Sequence, residues 1–155
     1  MRRWIAASAL LAATLLQLAC ASRSAPAALG APYADPSAEV AAARGTVLTF
    51  LLAEARGDPS SDTLLLVGAD FIATGISVTS RPRLAGVVGR GTAEVVESRT
   101  EVAGFLAWTV AVYRWTGGTP PRETRARATF VLERRPAGWR IRHVHSSTIE
   151  SWEGS

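Results

Sequence analysis

The chain has 155 residues, 48% hydrophobic and 19% charged, a balance that excludes a disordered polymer and sets the expectation of one hydrophobic core. Its 17 basic and 13 acidic residues give a formal net charge of +4, which falls to +2 once Arg2 and Arg3, in a segment outside the fold, are set aside. So small an excess does not support a nucleic-acid surface.

In chain order, Met1-Arg2-Arg3 makes a positive start, residues 4–16 an apolar run of mainly Ala and Leu, and Leu18-Ala19-Cys20-Ala21-Ser22 a small-residue end. This three-part layout reads as an export signal over 1–21. The apolar run falls short of the roughly 20 residues that a spanning helix needs. Cys20 is the single cysteine, so neither an intramolecular disulfide nor a Cys-based metal site can form. Leu18-Ala19-Cys20 resembles the lipobox of bacterial lipoproteins, although Gln17 stands where that motif usually has Leu. The resemblance implies that Cys20 becomes the first mature residue and is acylated. Each buried CH₂ contributes about 0.8 kcal/mol, so two or three chains hold a protein at a membrane. The expected location is the cell envelope, facing the periplasm or the cell exterior. The alternative is cleavage after Ala19-Cys20-Ala21, which would release a soluble secreted chain.

Residues 22–34, rich in Ala, Ser and Pro, read as a flexible tether, and 35–152 as the folded domain. Asp35-Pro36 is a helix start, since Asp can cap and Pro is tolerated in the first turn. Val40, Val47, Leu48, Leu51 and Ala55 recur at helical spacing up to Gly57, which predicts an amphipathic helix over 36–56. Asp58-Pro59 repeats the start signal and predicts a short second helix over 60–67, packed through Leu64, Leu65 and Leu66. Strands are predicted over 70–78, with a bulge at Gly75, and over 86–98, 102–115, 123–134 and 139–149. The segments 117–121 and 135–138 are turn-like. Short links between long strands favour antiparallel pairing, so the class is α+β, with N-terminal helices on an antiparallel sheet.

The final strand, Gly138-Trp139-Arg140-Ile141-Arg142-His143-Val144-His145-Ser146-Ser147, resembles the last strand of SnoaL-like, nuclear transport factor 2-like domains, where G-W-x-I-x-H-x-H-x-S recurs. Kinase association domains of that superfamily end similarly. Gly68-Ala69-Asp70-Phe71-Ile72-Ala73-Thr74-Gly75 resembles the family's first strand. The resemblance spans 37–151 and implies a cone-shaped, cystatin-like α+β roll, its strongly curved sheet wrapped around the helices and an interior cavity. Many members carry a further helix where 79–85 is too short for one. Members include isomerases, dehydratases, polyketide cyclases, ligand-binding modules and oligomerisation domains, so the fold leaves the activity open.

His143 and His145 lie two apart on a strand and are expected to share a face with Trp139 and Ile141. Pointing inward they would be a cavity acid/base pair or simply core-lining residues. The resemblance offers Asp70 as a carboxylate partner; its position suits a turn into the strand equally well. Glu94 is a further carboxylate of unassigned face. Trp108 lies on the opposite face from Tyr113 and Trp115 and is a candidate for ligand contact, with His143 and His145, or for contact with a second subunit. Arg125 and Arg127 read as a solvated outer face. No metal site and no cofactor motif is present. Besides a subunit-like accessory domain of an envelope complex, two functions remain open. One is an exported, lipid-anchored module of the bacterial envelope that binds a small apolar ligand or forms a homodimer through its outer sheet face. The other is a small isomerase, dehydratase or cyclase using His143 or His145 with Asp70.

Overall fold

The computed structural model describes residues 36–149. The export signal, Cys20 and the 22–34 tether lie outside the described residues.

Helix α1 spans Pro36–Arg56, with the limits expected from sequence. Val47, Leu51 and Ala55 are buried on its inner face, joined by Ala43 and Phe50. Gly57 ends it with φ 67°. Its N–H donates to the Glu54 carbonyl at 3.0 Å, and the Asp58 N–H reaches back to Ala53 at 2.9 Å, a paired closure that a left-handed glycine permits.

The second expected α-helix is absent. Pro59–Leu64 form one 3₁₀ helix, capped by the Asp58 carboxylate accepting from the Ser60 N–H at 2.9 Å. Leu65 already belongs to strand β1, Leu65–Ala73. The Leu-Leu-Leu-Val run carries no period that separates helix from strand, and pairing of Leu65 with Ile141 decides for strand. Thr74 and Gly75, with φ 53° and 79°, then turn the chain into the two-residue strand β2, Ile76–Ser77. Positive φ at both central residues is the hairpin geometry matched to strand twist, so Gly75 marks a turn, not a bulge.

After a connector over 78–90 come β3 (Gly91–Ala103), β4 (Leu106–Gly117), β5 (Arg122–Arg135) and β6 (Gly138–Thr148). β5 and β6 match expectation within a residue. β3 keeps the predicted length but lies five residues later, and β4 starts four residues later than predicted, because Arg99-Thr100-Glu101 continues a half-exposed edge strand and the turn falls at Gly104 and Phe105.

The strand order is β2-β1-β6-β5-β4-β3. All pairs are antiparallel except β1 with β6, which run parallel, so the sheet is mixed rather than antiparallel; the whole meander supplies the crossover. The sheet curves strongly around α1. Phe50 of α1 packs edge-on to Phe130 at 6.1 Å and stacks on Phe71 at 6.0 Å. Tyr113, Trp115 and Trp139 fill the remaining space, each at most 2% exposed. The large side chains of α1 and the sheet thus occupy the space between them.

Candidate functional site

A β-bulge decides which way the histidines point. Leu132 of β5 pairs with Ile141, and the next residue back, Val131, pairs with His143. Two residues of β6 therefore oppose one of β5, with Arg142 as the extra one. Beyond it the alternation changes phase. Trp139 and Ile141 are buried, and so are Val144 and Ser146. His143 is half-buried and His145 exposed. The expected sharing of a face between the imidazoles and Trp139 is thus corrected: both histidines lie on the outer face of the sheet.

Register places other candidates on that face. Asp70 neighbours His143 across the parallel pair, and Ile72 neighbours His145. Val131 continues the first row to Trp108, and Thr129 the second to Val110. Trp108 is 40% exposed. It lies two strands from His143, about 10 Å away at the usual strand spacing. Asp70 is exposed within β1 rather than in a turn before it. Arg125 and Arg127 are exposed. Glu94 is exposed too and pairs with Arg114 at 3.2 Å.

A cavity of about 450 Å³ opens where β1 leaves its partner. Leu65 pairs with Ile141 and Asp70 with His143, so β1 spends five residues where β6 spends two. The intervening segment loops out through Gly68, φ 74°. Asp70 and His143 line the opening beside Leu66, Ile72 and Val78, and Arg83 also borders it. Of the three residues named as ligand contacts, His143 lines this cavity, whereas His145 and Trp108 lie further along the outer face.

A buried charge cluster lies behind Arg83, and sequence reasoning did not identify it. Glu54, on the inner side of α1, is 2% exposed. Its carboxylate accepts from Arg83 Nη2, from Ser61 Oγ at 2.8 Å, from Arg81 Nε at 3.3 Å and from the Arg83 N–H at 3.3 Å. Asp62 closes the cluster, at 2.7 Å from Arg81 Nη2 and 2.9 Å from Arg83 Nη1. The Arg83 guanidinium also lies over the Phe71 ring, 4.8 Å from its centroid, a favourable face for a cation. Burial opposes the charge of Arg83, but the Glu54 and Asp62 carboxylates together outweigh it and hold the guanidinium above its usual value. Burial likewise works against the Asp62 carboxylate, yet hydrogen bonds from Arg83 and Arg81 prevail and hold it below the ordinary 3.8. The available signal was the spacing: Glu54 falls three residues after Leu51 and seven after Val47, on the apolar stripe.

The connector is tied to the sheet at a second point. The Tyr113 hydroxyl donates to the Ala85 carbonyl at 2.6 Å, and the Ala85 N–H donates to Ser146 Oγ at 2.9 Å. Burial pushes the Tyr113 phenol well above its usual 10.0, against a smaller opposing effect of Ser146. Among the described residues no group of three His, Cys, Asp or Glu side chains is placed to hold a metal ion.

Several solved structures share this fold. One is a candidate dehydratase of the nuclear transport factor 2-like family from Streptomyces avermitilis, 18% identical, with a TM-score of 0.64 over 76% of this chain and 100% of its own. Another is the association domain of C. elegans CaMKII, 15% identical, TM-score 0.60, over 73% and 98%. A third is a protein with a cystatin-like fold from Caulobacter vibrioides, 13% identical, TM-score 0.55, over 73% and 91%. No curated protein sequence matches. At these identities the structural likeness establishes the α+β roll. The model of the SnoaL-like domain matches residues 73–150, half of the chain and the whole meander from the end of β1; the chain therefore belongs to the family of SnoaL-like domains.

Proposed function

We propose that the protein is an exported, lipid-anchored module of the bacterial cell envelope whose domain forms a homodimer through the outer sheet face. The observation that carries this reading is the placement of Trp108. It stands 40% exposed on β4, one strand in from the β3 edge of the sheet, with Leu106 38% exposed two residues before it, Val131 opposite it on β5 and Val110 two residues on. An aromatic anchor with aliphatic neighbours on one side and the charged pair Arg99–Glu101 on the other has the make-up of an apolar interface patch with a polar rim. Kinase association domains among the structural neighbours are compatible with such assembly. Sedimentation velocity of the chain from residue 22 onward should give twice the chain mass. Trp108→Asp should weaken association about 30-fold or more, the scale of a central anchor residue. A monomer at all concentrations would sink the proposal.

A second reading is favoured by one observation: Asp70 and His143 are register neighbours lining one cavity. A small ligand or substrate seated there would meet a carboxylate and an imidazole together, the pairing that acid/base chemistry uses. The same pairing serves simple ligand binding, and the dehydratase and isomerase names among relatives keep the enzymatic version in view. A thermal-shift screen of small carbonyl compounds tests it. A ligand at 100 times its Kd adds about 2.7 kcal/mol of stability; that gain should vanish in His143→Ala while other properties stay. No stabilising compound, or one whose effect survives His143→Ala, removes this reading.

A further inference from the structure

The turns joining β3 to β4 and β5 to β6 lie at one end of the sheet, tied by the Arg134 N–H donating to the Phe105 carbonyl at 2.7 Å. α1 begins at the same end. The Glu39 carboxylate in its first turn accepts from Trp139 Nε1 at 2.8 Å and pairs with Arg134 at 3.1 Å. Four guanidiniums gather here, from Arg134, Arg135, Arg140 and Arg142. They face two carboxylates, Glu39 and Glu133, both already engaged; Glu101, further along β3, is paired with Arg99. The cluster therefore keeps a positive excess. At its margin Phe105 stands 49% exposed.

We infer that this end of the domain rests on an anionic bilayer surface, with the guanidiniums against lipid phosphates and Phe105 in the headgroup layer. The chain's own connectivity selects the occupant. The segment from Cys20 joins the domain at Pro36, the first residue of α1, hence at this end. Fifteen residues separate Cys20 from Pro36, and a chain of about that length cannot reach beyond roughly 50 Å even when fully extended. An acylated Cys20 would therefore hold the turns within reach of the membrane at high effective concentration, where a contact too weak for a free protein is made. Each Arg near an acidic leaflet strengthens attachment about fivefold, and an aromatic side chain beside the charges suits the interface. Arg90, Arg122 and Arg125 at the far end of the sheet are exposed as well. Val88 and Ile149 stand 67% and 37% exposed there too, so what distinguishes the α1 end is the entry of the chain from Cys20. The inference rests on the Cys20 anchor, and the test reads the two separately.

The experiment uses the full chain as cells process it, reconstituted in vesicles of phosphatidylglycerol or of phosphatidylcholine. Acylation blocks the Cys20 thiol, so Ala137→Cys, in the β5–β6 turn, accepts an environment-sensitive fluorophore; Thr116→Cys at the far end is the control. On phosphatidylglycerol the label at 137 should shift to the blue and be quenched by brominated acyl chains. On phosphatidylcholine, and at 116 on either lipid, it should not. Arg135→Gln with Arg142→Gln should lower the ratio of docked to free domain about 25-fold, fivefold for each arginine, and Phe105→Ser should lower it further without changing the thermal midpoint. An unquenched label at 137 on both lipids, equal responses on the two lipids, or an equal response at 116 overturns the docking. Intact mass decides the anchor: if Cys20 carries no lipid, the secreted chain with Cys20→Ser is added to the same vesicles. The labels then report docking alone, by the same criteria.

Discussion

At Glu54, α1, the 3₁₀ helix and the connector meet through one carboxylate that accepts from Ser61, Arg81 and Arg83. Taking away one member of a buried ion pair leaves its partner's charge without compensation, typically a loss of about 3–5 kcal/mol. Glu54→Ala should lose that much in urea denaturation at neutral pH. Glu54→Leu combined with Arg83→Leu should recover most of it, since an apolar pair leaves no charge stranded. Asp62 gives the cluster a pH dependence. Burial disfavours its charge, but Arg83 and Arg81 hold its folded-state carboxyl below the ordinary 3.8. A depressed carboxyl contributes stability above the unfolded value and loses it as pH falls through the folded value. Asp62→Asn should therefore be less stable than the parent at neutral pH, and the difference should close as pH falls through the lowered carboxyl value of Asp62. With the Asp62 side chain 55% exposed, solvent screening limits the neutral-pH difference to about 1 kcal/mol. Glu54 was open to notice in the sequence, as a carboxylate on an apolar stripe. Arg81 and Arg83 were not, because nothing local states where a connector will run.

The informative element is β6. Its ends follow from turn residues on one side and the close of the alternating pattern on the other, and both were legible. Its facing was not, because one extra residue at Arg142 changes the phase. The trace in the sequence is that Val144 stands three residues after Ile141, where an unbroken alternation would place the next inward residue at His143. This account separates two deletions. Removing Arg142 leaves Ile141, Val144 and Ser146 facing inward, so the variant should fold, losing its pair with Glu133 at 2.9 Å and about 1–2 kcal/mol. Removing Val144 brings His145 inward and turns Ser146 out. That should cost more than about 4 kcal/mol, a large share of a domain's stability. Circular dichroism melts of both variants check it; an equally unstable Arg142 deletion would contradict the bulge. β3 carries a second irregularity, between Val95 and Glu97, and extra residues of this kind bend and twist the strands they enter.

For the whole molecule, the same curvature that fills one sheet face with aromatic residues leaves the other with Trp108, the histidines and Asp70. Self-association through that face would stabilise the fold by mass action, so the thermal midpoint should rise with protein concentration, and Trp108→Asp should abolish the dependence. Sequence alone determined the limits of α1, because Pro36, Gly57 and the apolar spacing act within a few residues of one another. It determined β5 and β6 through their turns, and it pointed to the SnoaL-like family through the residues of the last strand. The tertiary structure decided the remainder. The parallel pairing of β1 with β6, the outward histidines, the cavity beside Asp70 and the partners of Glu54 all depend on contacts between segments far apart in the chain. Backbone preference is carried by neighbouring residues and can be read along the sequence; pairing register and charge partnership arise when remote segments meet.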